Sequence, residues 1–128
     1  MGTIGRRMGR LLRRRPQSAG PLRRRGQMDP ADEQHLVEFL ATRHGVEGFV
    51  EPRTAVSDVT LVIVAHDGEW TRRRVPSAAW AHEFANKNGV PSYDAALVGI
   101  PARMREYNRR EKERQRQQLR RDLDGPTD

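Results

Sequence analysis

The run Val59-Thr60-Leu61-Val62-Ile63-Val64-Ala65 is the longest apolar stretch in the chain. Its β-branched composition and its length suit a buried strand. Seven residues are far too few to cross a bilayer. Directly after it, Asp67-Gly68 is a two-residue hairpin signal, and Glu69-Trp70-Thr71-Arg72-Arg73-Arg74-Val75 returns as a second strand. In that register His66 faces Glu69, Ala65 faces Trp70 and Ile63 faces Arg72. The return strand is too polar on both faces to be central and reads as an edge strand.

Helical signals flank the hairpin. Asp29 is an N-cap, Pro30 fits the first helical position, and Asp32-Glu33 suit the positive end of the dipole. Leu36, Phe39, Leu40 and Arg43 follow at helical spacing, predicting a helix over 30–44 with Gly45 as its stop and Val46 as the contact of a Schellman motif. Ser77 caps a second helix over 78–88, with Trp80 and Phe84 four apart, as are Ala81 and Ala85. Gly89 and Pro91 end it. Over 92–98 a short helix capped by Ser92 competes with a third strand, and the helix is preferred. Trp80 and Phe84 are expected to close one small core with the helix over 30–44 and the strand over 59–65.

A last helix starts at Pro101. Met104 and Tyr107 anchor its first turns, and Asn108 to Gln118 contain no apolar residue. A helix polar all round is solvated or awaits a partner. The fold class expected is therefore α+β: one small domain over 28–101, ordered helix, hairpin, helix and short element, followed by a basic helix and acidic tail over 102–128.

Charge is spread unevenly. The formal net charge is +7, but residues 1–27 carry nine arginines and no acid, whereas residues 28–101 hold more acids than bases. Only Lys87 and Lys112 are lysine, so the imbalance reflects GC-rich codons as well as arginine chemistry. Residues 1–27 lack an apolar pattern and cannot offset their ordering entropy. Two readings stand: a disordered leader, or an over-extended reading frame whose true start is Met28. Arg6-Arg7 is not followed by the apolar region an export signal needs, so a cytoplasmic protein with no membrane contact is expected.

Catalytic signatures are missing. The chain has no cysteine, which excludes disulfides, thiolate metal sites and a cysteine nucleophile. His35, His44, His66 and His82 form no metal-ligand pattern; a site from His66, Asp67 and Glu69 is weaker than an ordinary exposed turn. No phosphate-binding glycine loop or nucleophile elbow is present. No catalytic residue, cofactor or metal is assigned.

Basic character is the one feature above background. Arg72, Arg73 and Arg74 beside Trp70 could hold a phosphate backbone while the indole stacks on a base. Arg109, Arg110, Arg114 and Arg116 on the last helix could lie along RNA or a ribonucleoprotein surface. The competing reading is a solvated surface with pairs such as Glu106–Arg110. The leading expectation is a non-enzymatic RNA-binding module. The alternatives are an adaptor docking on an acidic protein partner and a small enzyme.

The block GFVEPRTAVSDVTLVIVAHDGEWTRRRVPS from Gly48, continuing through WAHEFANKNGVPSYDAALVGIPARMREYN to Asn108, resembles a group of small uncharacterised proteins of high-GC actinobacteria. Some of these carry an automatic oxidoreductase label. The resemblance covers about half the chain and brings no residue roles with it.

Overall fold

The computed structural model describes residues 26–125. The expected leader therefore lies, but for Gly26 and Gln27, outside the described residues. The described chain runs α1 (Pro30–Thr42), β1 (Glu47–Glu51), β2 (Thr60–Val64), β3 (Trp70–Arg74), α2 (Ala78–Lys87), β4 (Ser92–Asp94), α3 (Ala95–Val98) and α4 (Ala102–Asp124). It is a small α+β domain with a four-stranded mixed sheet and a long C-terminal helix.

The sheet order is β3-β2-β1-β4. β1 pairs antiparallel with β2 and parallel with β4, and β2 pairs antiparallel with β3. The apolar run supplies β2, whose neighbours on both sides explain why it tolerates no charge. β3 is an edge strand, as its polarity requires. β1 has no counterpart in the sequence reading. Its five residues include two glutamates and a glycine, so the pattern carries little strand signal, yet it occupies a central position.

Each face of the sheet buries its own core. On one face Leu36 and Phe39 of α1 and Ala81 and Phe84 of α2 meet Val50, Leu61, Ile63, Ala65 and Val75. Trp80 is only half-buried and stacks on Phe84 with ring centroids 5.1 Å apart. On the other face Phe49, Val62 and Val64 meet Met104 of α4, with Trp70, Ala95 and Ile100 packed around them. The single core expected is thus two cores. The difference follows from strand alternation, since a sheet with apolar residues on both faces needs a layer against each. Fully burying one such side chain is worth about 1.5–3 kcal/mol.

The hairpin register is one residue away from that expected. Val64 pairs with Trp70, Ile63 with Thr71 and Val62 with Arg72. The Ala65 N–H donates to Glu69 O at 2.7 Å and the Gly68 N–H to Ala65 O at 2.9 Å. The loop is therefore three residues long, His66-Asp67-Gly68, with Gly68 at φ 94 in the left-handed position. A two-residue turn would have put Trp70 on the opposite face.

Helix ends also moved. α1 stops at Thr42 and Arg43 is already extended, at φ −128 and ψ 161. The Arg43 guanidinium leaves the helix to meet Glu69 at 2.6 Å and lies 4.3 Å from the Phe39 ring centroid. The Schellman pattern occurs instead at α2: Val90 N–H donates to Ala85 O and Gly89 N–H to Asn86 O. Asp29 and Ser77 cap α1 and α2 as expected, accepting from Ala31 N and Trp80 N. Residues 92–98 hold both competing elements in succession, with Asp94 rather than Ser92 capping α3.

Candidate nucleic-acid interface

The three hairpin arginines are spent on the fold. Arg72 reaches Glu51 with two donors, Nε to Oε1 at 2.8 Å and Nη2 to Oε2 at 3.1 Å. Arg73 meets Asp32 of α1 at 3.2 Å, and Arg74 meets Asp58 at 3.2 Å. Alternation also separates them, with Arg73 facing α1 and Arg72 and Arg74 on the opposite face. Burial pushes the Glu51 carboxyl up, but hydrogen bonds from Arg72 and Thr60 outweigh it and hold the group below its ordinary range.

Trp70 is half-buried beside α4. Its indole N–H donates to Asn108 Oδ1 at 2.7 Å, and Arg72 lies 5.2 Å from its ring centroid. Indole edge and face are thus both engaged within the chain.

α4 is fixed to the body by its first turns. Met104 fills the second core, and Arg103 donates to Ala65 O at 2.9 Å and to Glu47 at 2.8 Å. Gly68 sits so close that a Cβ there would lie 2.1 Å from Arg103 O. Arg110 donates to Asp67 O at 2.9 Å and lies 5.9 Å from the Tyr107 ring centroid. Burial raises the Tyr107 phenol above its ordinary range. Past Glu111 the picture changes. Every residue from Lys112 to Asp124 is exposed, so about 20 Å of helix extends with no body contact.

Along α4 the expected site residues divide. Arg109, Arg114 and Arg116 each pair three residues back, with Glu106, Glu111 and Glu113. Glu106 pairs with Arg109 rather than the expected Arg110, and its hydrogen bond from Arg109 holds it below the ordinary carboxylate range. At 100° per residue Arg110 and Arg114 fall on one side of Met104. Arg109 and Arg116 fall on the other, together with Arg105, Lys112 and Arg120. These five exposed residues recur at i, i+4, i+7, i+11 and i+15 within an arc of about 80°, a row about 22 Å long. Among the described residues, Arg105, Lys112 and Arg120 meet no carboxylate within ion-pair distance. These three stand outside the expected site residues because none belongs to the arginine clusters picked out there; the helical period starting at Arg105 is the signal that marks them.

No group of three or more metal-ligating side chains occurs among the described residues. His66 stacks on His44 at 4.0 Å, the Asp67 carboxyl accepts from Glu69 N, and Glu69 is held by Arg43. An open cleft of about 440 Å³ lies between the loop after β1 and α3, lined by Glu51, Thr54, Ser57, Thr60 and Ile100. Its Thr54 and Ser57 hydroxyls bond each other at 2.8 Å, and Glu51 is taken by Arg72 and Thr60. Among the described residues no helix is long and apolar enough to cross a membrane. No protein-family model, curated protein or solved structure matches the chain.

Proposed function

We propose that this is a non-enzymatic module that binds RNA, free or on a ribonucleoprotein surface, through its phosphate backbone. The single observation carrying the reading is the outward row Arg105, Arg109, Lys112, Arg116 and Arg120 on a rigidly based helix. A row of cations without enough matching acids attracts a polyanion by counterion release, independently of sequence. Arg72, Arg73 and Arg74 contribute to the body that holds α4 rather than to the ligand. A second reading rests on Leu119 and Leu123, which stand four apart and are 57% and 77% exposed near the end of α4. They favour an adaptor whose helix lays an apolar edge on an acidic protein partner.

RNA binding by the full chain at two salt concentrations tests the proposal. Log affinity should fall with log salt at a slope of about −0.7 for each contacted phosphate of a single strand. Lys112→Glu with Arg116→Glu and Arg120→Glu should weaken binding at least about tenfold with the melting temperature unchanged. Salt-insensitive binding, or binding indifferent to the three reversals, removes the proposal and leaves the adaptor.

A further inference from the structure

We infer, resting on the reading above, that the phosphate array this row takes is one backbone strand of a duplex rather than a flexible single strand.

The row itself is stiff. Its five cations are spaced about 4.5–6 Å apart along one continuous helix, and that helix is clamped at its base by Met104, Arg103 and the Gly68 contact. A straight, pre-set charge array is satisfied best by phosphates that are also pre-set. A single strand has to be straightened first, which costs chain entropy. Proteins that favour single strands recover that cost by stacking bases on aromatic rings, worth about 1–3 kcal/mol per base.

This chain has no ring to offer beside the row. It holds two Trp, two Tyr and three Phe, and all seven lie within the described residues. Phe39, Phe49 and Phe84 are buried. Trp70 is bonded to Asn108 under Arg72, and Trp80 stacks on Phe84 across the sheet from α4. Tyr107 lies half-buried below Arg110 on the body side of the helix. Tyr93 tilts against Phe49 with its hydroxyl bonded to Glu47. Binding must therefore come from phosphates alone, and a duplex presents them at higher density.

The flank of the row narrows the geometry further. Glu106 and Glu113 border it on one side, within about 80° of its centre at 100° per residue. A helix sunk in a groove meets phosphates on both flanks, and there these carboxylates would repel one wall. α4 therefore lies along a single strand of the duplex from outside. Such a contact reads neither base edges nor the 2′-hydroxyl, so RNA and DNA duplexes offer it the same chemistry.

Fluorescence anisotropy with the full chain tests this at two salt concentrations. The probes are an RNA duplex, a DNA duplex and an unstructured single-stranded RNA, each about 20 nucleotides long, so longer than the row at 3.4 Å per step. Both duplexes should bind at least about tenfold tighter than the single strand and within a few-fold of each other. The Lys112→Glu, Arg116→Glu, Arg120→Glu variant should lose at least about tenfold on the duplexes and show a flatter salt slope. Single-stranded RNA bound as tightly as the duplexes, and still sensitive to the reversals, overturns the inference while the proposed function stands. A preference above about tenfold between the two duplexes also overturns it, because it requires groove or 2′-hydroxyl contact. Salt-dependent binding to none of the three probes overturns both.

Discussion

β3 and α4 are both rich in arginine and use it in opposite ways. In β3 each arginine reaches a carboxylate from a different part of the chain: Arg72 to Glu51, Arg73 to Asp32 and Arg74 to Asp58. Those pairs span strand, helix and loop, so they tie the edge strand to its neighbours. In α4 the pairs formed by Arg109, Arg114 and Arg116 stay within one turn of the same helix, and Lys112 and Arg120 pair with no described acid. A cation joined across the fold is part of the body. One joined only to its own helix remains available to a ligand. Arginine content alone says nothing about which of these applies.

The sharpest way to break this contrast is to truncate both sets. Arg72→Ala with Arg73→Ala and Arg74→Ala should cost about 2–4 kcal/mol in all, since each pair is only partly shielded from water. Urea unfolding reads the loss directly, and a midpoint equal to wild type would erase the distinction. Next in size is the clamp between the hairpin and α4. Gly68→Ala combines a left-handed backbone with a Cβ 2.1 Å from Arg103 O, and should cost about 1–3 kcal/mol of stability. Thermal melting measures it, and the row should lose its fixed aim at the same time.

Smaller is the effect of pH on the α1–β3 seam. His35 lies within 2.7 Å of Thr71 Oγ1, and burial, with the nearby Arg73 charge, lowers its pKa from the ordinary 6.5. Asp32 and Glu38 oppose that shift and Arg43 adds to it. Because the folded value is the lower one, this contribution is complete above 6.5 and is lost as pH falls through the folded value. Stability should begin to decline as pH falls through 6.5 and go on declining through the lowered folded value, and His35→Gln should remove that part of the decline. The smallest effect is expected from Lys112→Ala with Arg116→Ala and Arg120→Ala. Denaturant midpoints should shift by less than about 0.5 kcal/mol equivalent, because these side chains touch no other element.

What the sequence disclosed divides along the same line. α1, α2, the apolar strand and the place of the turn at Asp67-Gly68 were legible because capping residues, period and turn chemistry are local, whereas the loop's odd length, and with it the register of β3, was not. β1 was not, because Glu47-Gly48-Phe49-Val50-Glu51 becomes a strand only through β2 and β4. The stretch 92–98 showed two local signals that the chain satisfies one after the other. At the candidate interface the helix and its arginines were visible, but the partners of Arg72, Arg73 and Arg74 were not. Those partners depend on register and on packing between distant segments, neither of which spacing encodes. The row from Arg105 to Arg120 was open to a period count; only the buried side of Met104 says which way it points.

The three-residue loop His66-Asp67-Gly68 has a consequence that works like parity in arithmetic. Strand residues alternate faces, so the number of residues in the loop, odd or even, decides which members of β3 look toward which helical layer. The odd loop sends Thr71, Arg73 and Val75 to α1 and Trp70, Arg72 and Arg74 to the side of α4. An even loop would exchange the two sets at once: Val75 would leave its core, Arg73 would lose Asp32, and Trp70 would turn away from Asn108. A single residue inserted into or deleted from this loop would therefore act as a whole-strand mutation.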